Sequence, residues 1–190
     1  EVVHRSWDLA DDLFHESVNE HAAGGFRRDA AAAQVEHLLG IELADGGAVG
    51  GFDIVGENIE RAVKEPNDIT AREPLMFAAM LAGIGFGNAG CHVPHAMSYA
   101  VAGLVEDYRP EGWPADHAIV PHGMSVILNA PAVFRFTASA SPARHLEAAE
   151  ALGVDIANVR EADAGPVLAD RITWFMDRLK VPNGLRAVGY

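Results

Sequence analysis

The β-branched residues of this 190-residue chain do not gather into alternating runs, and Ala and Gly are abundant in their place. Apolar side chains recur instead at three- and four-residue spacing, the rhythm of a helix with one buried face. The fold class this predicts is all-α, a helical bundle. Apolar residues make up 49% of the chain, enough for one domain with a core of its own.

The periodicity places the helices. One spans about Asp53 to Lys64, with Ile54, Val55, Ile59, Ala62 and Val63 recurring at helical spacing, and Glu65-Pro66 ends it. Asn67-Asp68 starts the next, which Pro74 should kink or restart. Leu75 to Leu81 is apolar all round, as expected at the centre of a bundle. Gly83, Gly85, Gly87 and Gly90 follow, and point either to close approach of a neighbour or ligand or to small-residue packing. Further on, Ser141-Pro142 opens a helix that turns Leu146, Ala149 and Leu152 inward and that Gly153 closes. His145, between Arg144 and Glu147, is expected at its surface. The last helix runs from about Gly165 to Lys180 on a buried stripe of Leu168, Ile172, Phe175, Met176 and Leu179, with Trp174 at its edge.

Residues 1–51 form a different region, with ten acidic and three basic side chains. Asp29 to Leu39 reads as helical, and the glycine-rich run from Asp45 to Gly51 reads as a linker dividing it from residues 52–190. These glycines do not form the G-x-G-x-x-G element that joins a strand to a helix at a dinucleotide site. Net charge is −13, which argues against nucleic acid and anionic membrane as partners. The single cysteine, Cys91, excludes an internal disulfide and fits a reducing compartment such as the cytoplasm. It reads as a small core residue. No apolar run is long enough to span a bilayer.

The chemistry concentrates between Leu81 and Pro131, which holds four of the nine histidines: His92, His95, His117 and His122. His95 follows Pro94 at an expected helix start, and His122 stands between Pro121 and Gly123 at the start of another apolar run. The segment Arg109-Pro110-Glu111-Gly112-Trp113-Pro114 has the residues to turn the chain back between them. Two helix starts then face one point, and a pair of imidazoles suits zinc or ferrous iron.

The strings Gly83-Ile84-Gly85-Phe86-Gly87-Asn88-Ala89-Gly90, His95-Ala96-Met97-Ser98-Tyr99 and Asp116-His117-Ala118-Ile119-Val120-Pro121-His122-Gly123 resemble the iron-dependent alcohol dehydrogenases. Within them the hydroxyacid-oxoacid transhydrogenase group is nearest, and the resemblance runs from about Ile54 to Tyr190. It implies the metal-bearing helical C-terminal domain of the family, with His95 and His122 as ligands of Fe²⁺ or Zn²⁺. Tyr99 takes the place of a second histidine. It shares a helix face with His95 and is either a substrate-side group or a packed tyrosine. Asp11 and His15 have the D-x-L-x-H spacing that supplies the other two ligands in the family, although Ala10 replaces the usual preceding glycine. They either complete the site or belong to an exposed acidic helix.

For the complete enzyme the resemblance implies hydride transfer between an alcohol or hydroxy acid and a nicotinamide cofactor, NAD(P), or an oxo acid. The partner is then a small molecule, with a homo-oligomer possible. Arg109 is the nearest cation for a carboxylate, or a solvated loop residue. The family's cofactor-binding α/β domain is not expected within these residues, so the chain reads as a fragment or a shortened homologue. The alternative function is an inactive fragment or helical interaction module.

Overall fold

The computed structural model describes residues 49–190 except 112, 114 and 115. Among these residues the structure is helical and contains no strand, as the periodicity predicts. In chain order the α-helices are α1 (Val49–Lys64), α2 (Ile69–Ala89), α3 (Val93–Gly103), α4 (His122–Ile127), α5 (Ala130–Thr137), α6 (Pro142–Ala151) and α7 (Ala164–Leu179). Single 3-10 turns cover Ala138–Ala140, Glu161–Asp163 and Leu185–Val188.

Val49, Gly50 and Gly51, the last residues of the expected linker, are helical and belong to α1. The reason is burial: Gly51 and Phe52 are both inside, and packing of that first turn outweighs the low helix propensity of glycine. Asp68 starts α2 as expected, its Oδ1 accepting the Thr70 N–H at 2.9 Å and the Ala71 N–H at 3.3 Å. Helix α2 runs through Pro74 without restarting.

α1 packs on α2 and α6, α7 packs on α5 and α6, and α3 packs on α4. The core gathers Phe52, Ile59, Leu75, Phe134 and Ile172 from four helices and Leu152 from the C-cap of α6. The α7 stripe from Leu168 to Leu179 is buried as expected. Trp174 is 40% exposed at the stripe's edge, with the Arg171 guanidinium 4.2 Å from its ring centre. Arg178 reaches back to α1, its Nε donating to Glu60 at 3.0 Å.

Helix α2 corrects the expectation of a central, fully buried helix. Leu75, Ala78 and Ala82 are buried against α1, but Met76, Phe77, Met80 and Ile84 are each more than half exposed. Those four lie at helical spacing on the outer side, a contiguous apolar face. The glycines after it do not all serve close approach. A Cβ on Gly83 would meet nothing within 4 Å, and Gly90 takes φ +79° just after the helix end.

The close approach lies elsewhere, at Gly165 in the first turn of α7. A Cβ there would lie 2.9 Å from the Ala138 Cβ and 3.0 Å from the Arg135 Cα. Gly165→Ala should therefore push α7 off α5 and cost roughly 1–3 kcal/mol. Urea denaturation of the variant checks this, and an unchanged midpoint would show that the two helices can move apart freely.

Candidate metal and substrate site

Helix α3 starts one residue ahead of Pro94. His92 occupies the N-cap with extended backbone (φ −85°, ψ 174°), and its carbonyl accepts the His95 N–H at 3.1 Å. Proline suits this first turn, because the N–H it lacks would have no partner inside the helix. The chain then leaves α3 and turns where Trp113 N–H meets Pro110 O at 3.3 Å. It re-enters helix at His122, behind the N-cap Pro121.

The two histidines meet there. The rings of His95 and His122 have their centres 5.5 Å apart, tilted by 58°. His95 is 6% exposed. Burial pushes the His122 imidazole below its usual pKa, so it stays neutral near pH 7 and keeps a lone pair for a ligand.

A feature missed in the sequence supports both residues. Each is followed by x-Met-Ser, as His95-Ala96-Met97-Ser98 and His122-Gly123-Met124-Ser125. Ser98 Oγ donates to His95 O at 2.7 Å, and Ser125 Oγ donates to His122 O at 2.6 Å. Both serines are buried, and this local bond satisfies their hydroxyls without drawing on the histidine rings. Repetition of H-x-M-S was the signal available.

Tyr99, one turn beyond His95, is 63% exposed. His117 is exposed and bonds Asp116 at 2.9 Å through Nδ1. Arg109 is an exposed loop residue whose guanidinium donates to Asp107 O at 3.0 Å. Asp11 and His15 lie outside the described residues, as do His4, His21, His37 and the Asp29 to Leu39 segment. Among the described residues, no group of three or more His, Cys, Asp or Glu side chains forms a metal cage.

Two expectations about neighbouring residues need correction. Cys91 is exposed and not in the core, because it falls in the short link between α2 and α3. Partial burial still pushes its thiol pKa up, which makes it a poor nucleophile. His145 is only 1% exposed, where the sequence placed it at the surface. Its Nδ1 is 2.8 Å from Ser141 O, so that nitrogen carries the proton, and its Nε2 is 3.1 Å from Thr137 Oγ1. The charged neighbours Arg144 and Glu147 hid the fact that His145 falls on the inward stripe with Ala149 and Leu152.

Phe134 in α5, fully buried, stands between two imidazoles. His92 stacks on it with centres 5.7 Å apart and planes within 8°. His145 meets it edge-on at 5.8 Å and 79°. Burial lowers the pKa of His92 and His145, and for His92 the nearby His145 adds to the effect.

A histidine whose folded pKa is depressed stabilises the fold above its unfolded pKa of ~6.5 and loses that contribution as pH falls. Stability to urea should therefore drop as pH falls below ~6.5, with a limiting slope of ~1.4 kcal/mol per pH unit for each such group. His145→Gln should flatten the slope. A wild-type stability that is level across this window would contradict the burial described.

The sequence profile described as the Fe-containing alcohol dehydrogenase family, C-terminal, matches residues 33–190. The chain belongs to this family. Its fold agrees: 1,3-propanediol oxidoreductase superposes with a TM-score of 0.73 at 25% identity, over 85% of this chain and 41% of that one. The family resemblance drawn from the histidine and glycine motifs thus holds. It also reaches further back than Ile54, to residue 33.

Among the family's curated members, the bovine "Hydroxyacid-oxoacid transhydrogenase, mitochondrial" is 49% identical over 148 residues, 78% of this chain. This chain spans 32% of that protein's length. Another structure with this fold is sulfoacetaldehyde reductase from Bifidobacterium kashiwanohense in complex with NAD⁺. It shares the fold at a TM-score of 0.66 and 20% identity, over 87% of this chain and 41% of its own. The family match and the transhydrogenase relative place the chain in an oxidoreductase family. No helix among the described residues is long and apolar enough to cross a membrane.

Proposed function

We propose that this chain supplies the metal-bearing helical part of an oxidoreductase that moves a hydride between a hydroxy acid or alcohol and a nicotinamide cofactor or an oxo acid. The observation that supports this most is the meeting of His95 and His122 at two helix starts. Two imidazoles held tetrahedrally ~2.1 Å from one ion have ring centres roughly 5 Å apart, and the observed separation is 5.5 Å. Partly buried and neutral, His122 has the protonation state a ligand needs.

Fe²⁺ or Zn²⁺ bound here would act as a Lewis acid on the substrate oxygen, favouring alkoxide in one direction and polarising the carbonyl in the other. His95 and His122 would hold the ion, and Asp11 and His15 are the two positions whose variants decide whether further ligands complete the site. The buried Ser98 and Ser125 brace the helix starts that carry the two imidazoles. Tyr99 stands one turn from His95 as a substrate-side hydroxyl. By likeness to the bovine transhydrogenase, the substrate class is a small hydroxy acid exchanged with an oxo acid. NAD(P) belongs to the complete enzyme, and these residues carry no glycine-rich phosphate loop. A homo-oligomer and a reducing compartment, cytoplasmic or as in the bovine relative's mitochondrial name, complete this reading.

A second reading, a helical interaction module, draws support from the exposed apolar face of α2. Calorimetric titration of Zn²⁺ or anaerobic Fe²⁺ separates the two. The oxidoreductase reading expects saturable binding that His95→Ala and His122→Ala both remove, and binding unaffected by either change would sink it.

A further inference from the structure

The contact of His92 with Phe134 repeats the contact of His95 with His122. In each, an imidazole from the start of α3 faces a ring on the continuous α4–α5 segment. His92 thus stands beside the candidate site, one helical turn from His95, with its backbone tied to that residue. Its ring plane is fixed by the parallel stack on Phe134.

Yet its Nδ1 is buried and has no hydrogen-bond partner among the described residues. The other imidazole on Phe134 differs in this respect, since both nitrogens of His145 are bonded. Buried polar atoms are rarely left unmatched, and an orphan of this kind marks a place where another molecule supplies the partner. The described residues do not gather His92 with His95 and His122 into a three-ligand cage, which sets it apart from a metal-ligating role.

Resting on the oxidoreductase reading, we infer that His92 is a substrate-contacting residue whose Nδ1 forms a hydrogen bond with an oxygen of the small hydroxy or oxo acid bound beside His95 and His122. A neutral imidazole nitrogen suits both members of that pair. It accepts a hydrogen bond from a hydroxyl in one tautomer and donates one to a carbonyl or carboxylate in the other. Burial keeps the ring in the neutral form that has this choice.

The test uses the full chain loaded with Zn²⁺, titrated calorimetrically with 4-hydroxybutyrate. His92→Phe keeps an aromatic ring to stack on Phe134, one heavy atom larger than the imidazole, and removes both ring nitrogens. It should weaken binding of the acid about tenfold or more, the loss expected for one hydrogen bond to a charged or polar group, while Zn²⁺ affinity and the thermal midpoint stay unchanged. His92→Asn returns an amide near the Nδ1 position and should recover part of the loss. In the wild type the ¹⁵N resonance of His92 Nδ1 should shift when the acid is added.

Unchanged affinity in His92→Phe, or failure of the zinc-loaded wild type to bind the acid, overturns the contact and leaves the metal site standing. A parallel loss of Zn²⁺ affinity would make His92 a ligand and overturn it too. Failure of the wild type to take up zinc removes the metal site, and the contact with it.

Discussion

His95→Ala is expected to abolish divalent metal binding, with a loss of at least about a hundredfold in affinity. Removing one imidazole from a site built on a pair leaves too few donors for a zinc site, which takes four protein ligands when structural and three plus water when catalytic. His122→Ala should do the same, because the two rings meet 5.5 Å apart and no third ligating side chain among the described residues shares their point. The variants that decide the ligand count are Asp11→Asn and His15→Ala. We expect them to change little, since the family match begins at residue 33, beyond both positions. Binding by two imidazoles should then be weak and readily reversed by a chelator. A large loss of affinity on changing Asp11 or His15 would instead establish the four-ligand site, and with it a working oxidoreductase centre. Titrations of Zn²⁺ into the four variants give the answer directly.

Phe134→Ala is expected to cost about 3–5 kcal/mol, the range for deleting a buried aromatic ring. Phe134 is fully buried in the main core, so the hole would lie where α5 meets its neighbours. Its loss also strips two imidazoles of their support, the stacked His92 and the edge-on His145. The thermal midpoint should fall by roughly 10 °C for a domain of this size. NMR titration should show the His145 pKa returning upward towards ~6.5 as water enters. A destabilisation below about 1 kcal/mol would mean that the surroundings collapse into the space, contrary to the rigid packing described.

Much of the fold was legible because single elements carry their own signals. The α7 stripe, the Asp68 start of α2 and the closure of α6 at Gly153 (φ +88°) all follow from period and cap chemistry. What failed depended on neighbours. An apolar helix is central only if partners surround it, and α2 is packed on one side alone among the described residues. His145 was misread because its immediate neighbours are charged, although helical spacing puts it on the buried stripe. In the site, first-turn placement and family motifs pointed to His95 and His122. The stack of His92 on Phe134 joins residues distant in sequence, and no local pattern announces such a contact.

The outer face of α2 has a consequence for how the chain behaves in solution. Met76, Phe77, Met80 and Ile84 present adjoining apolar surface, while the chain as a whole carries a net charge of −13. Like charge keeps copies apart over a distance set by the counter-ion atmosphere, ~30 Å at 0.01 M salt and ~10 Å at 0.1 M. Added electrolyte thins that atmosphere without weakening the attraction between the greasy faces. Colloidal stability is therefore governed by ionic strength as much as by folding. A dilute buffer keeps the molecules dispersed, and a salt-rich one lets these faces meet.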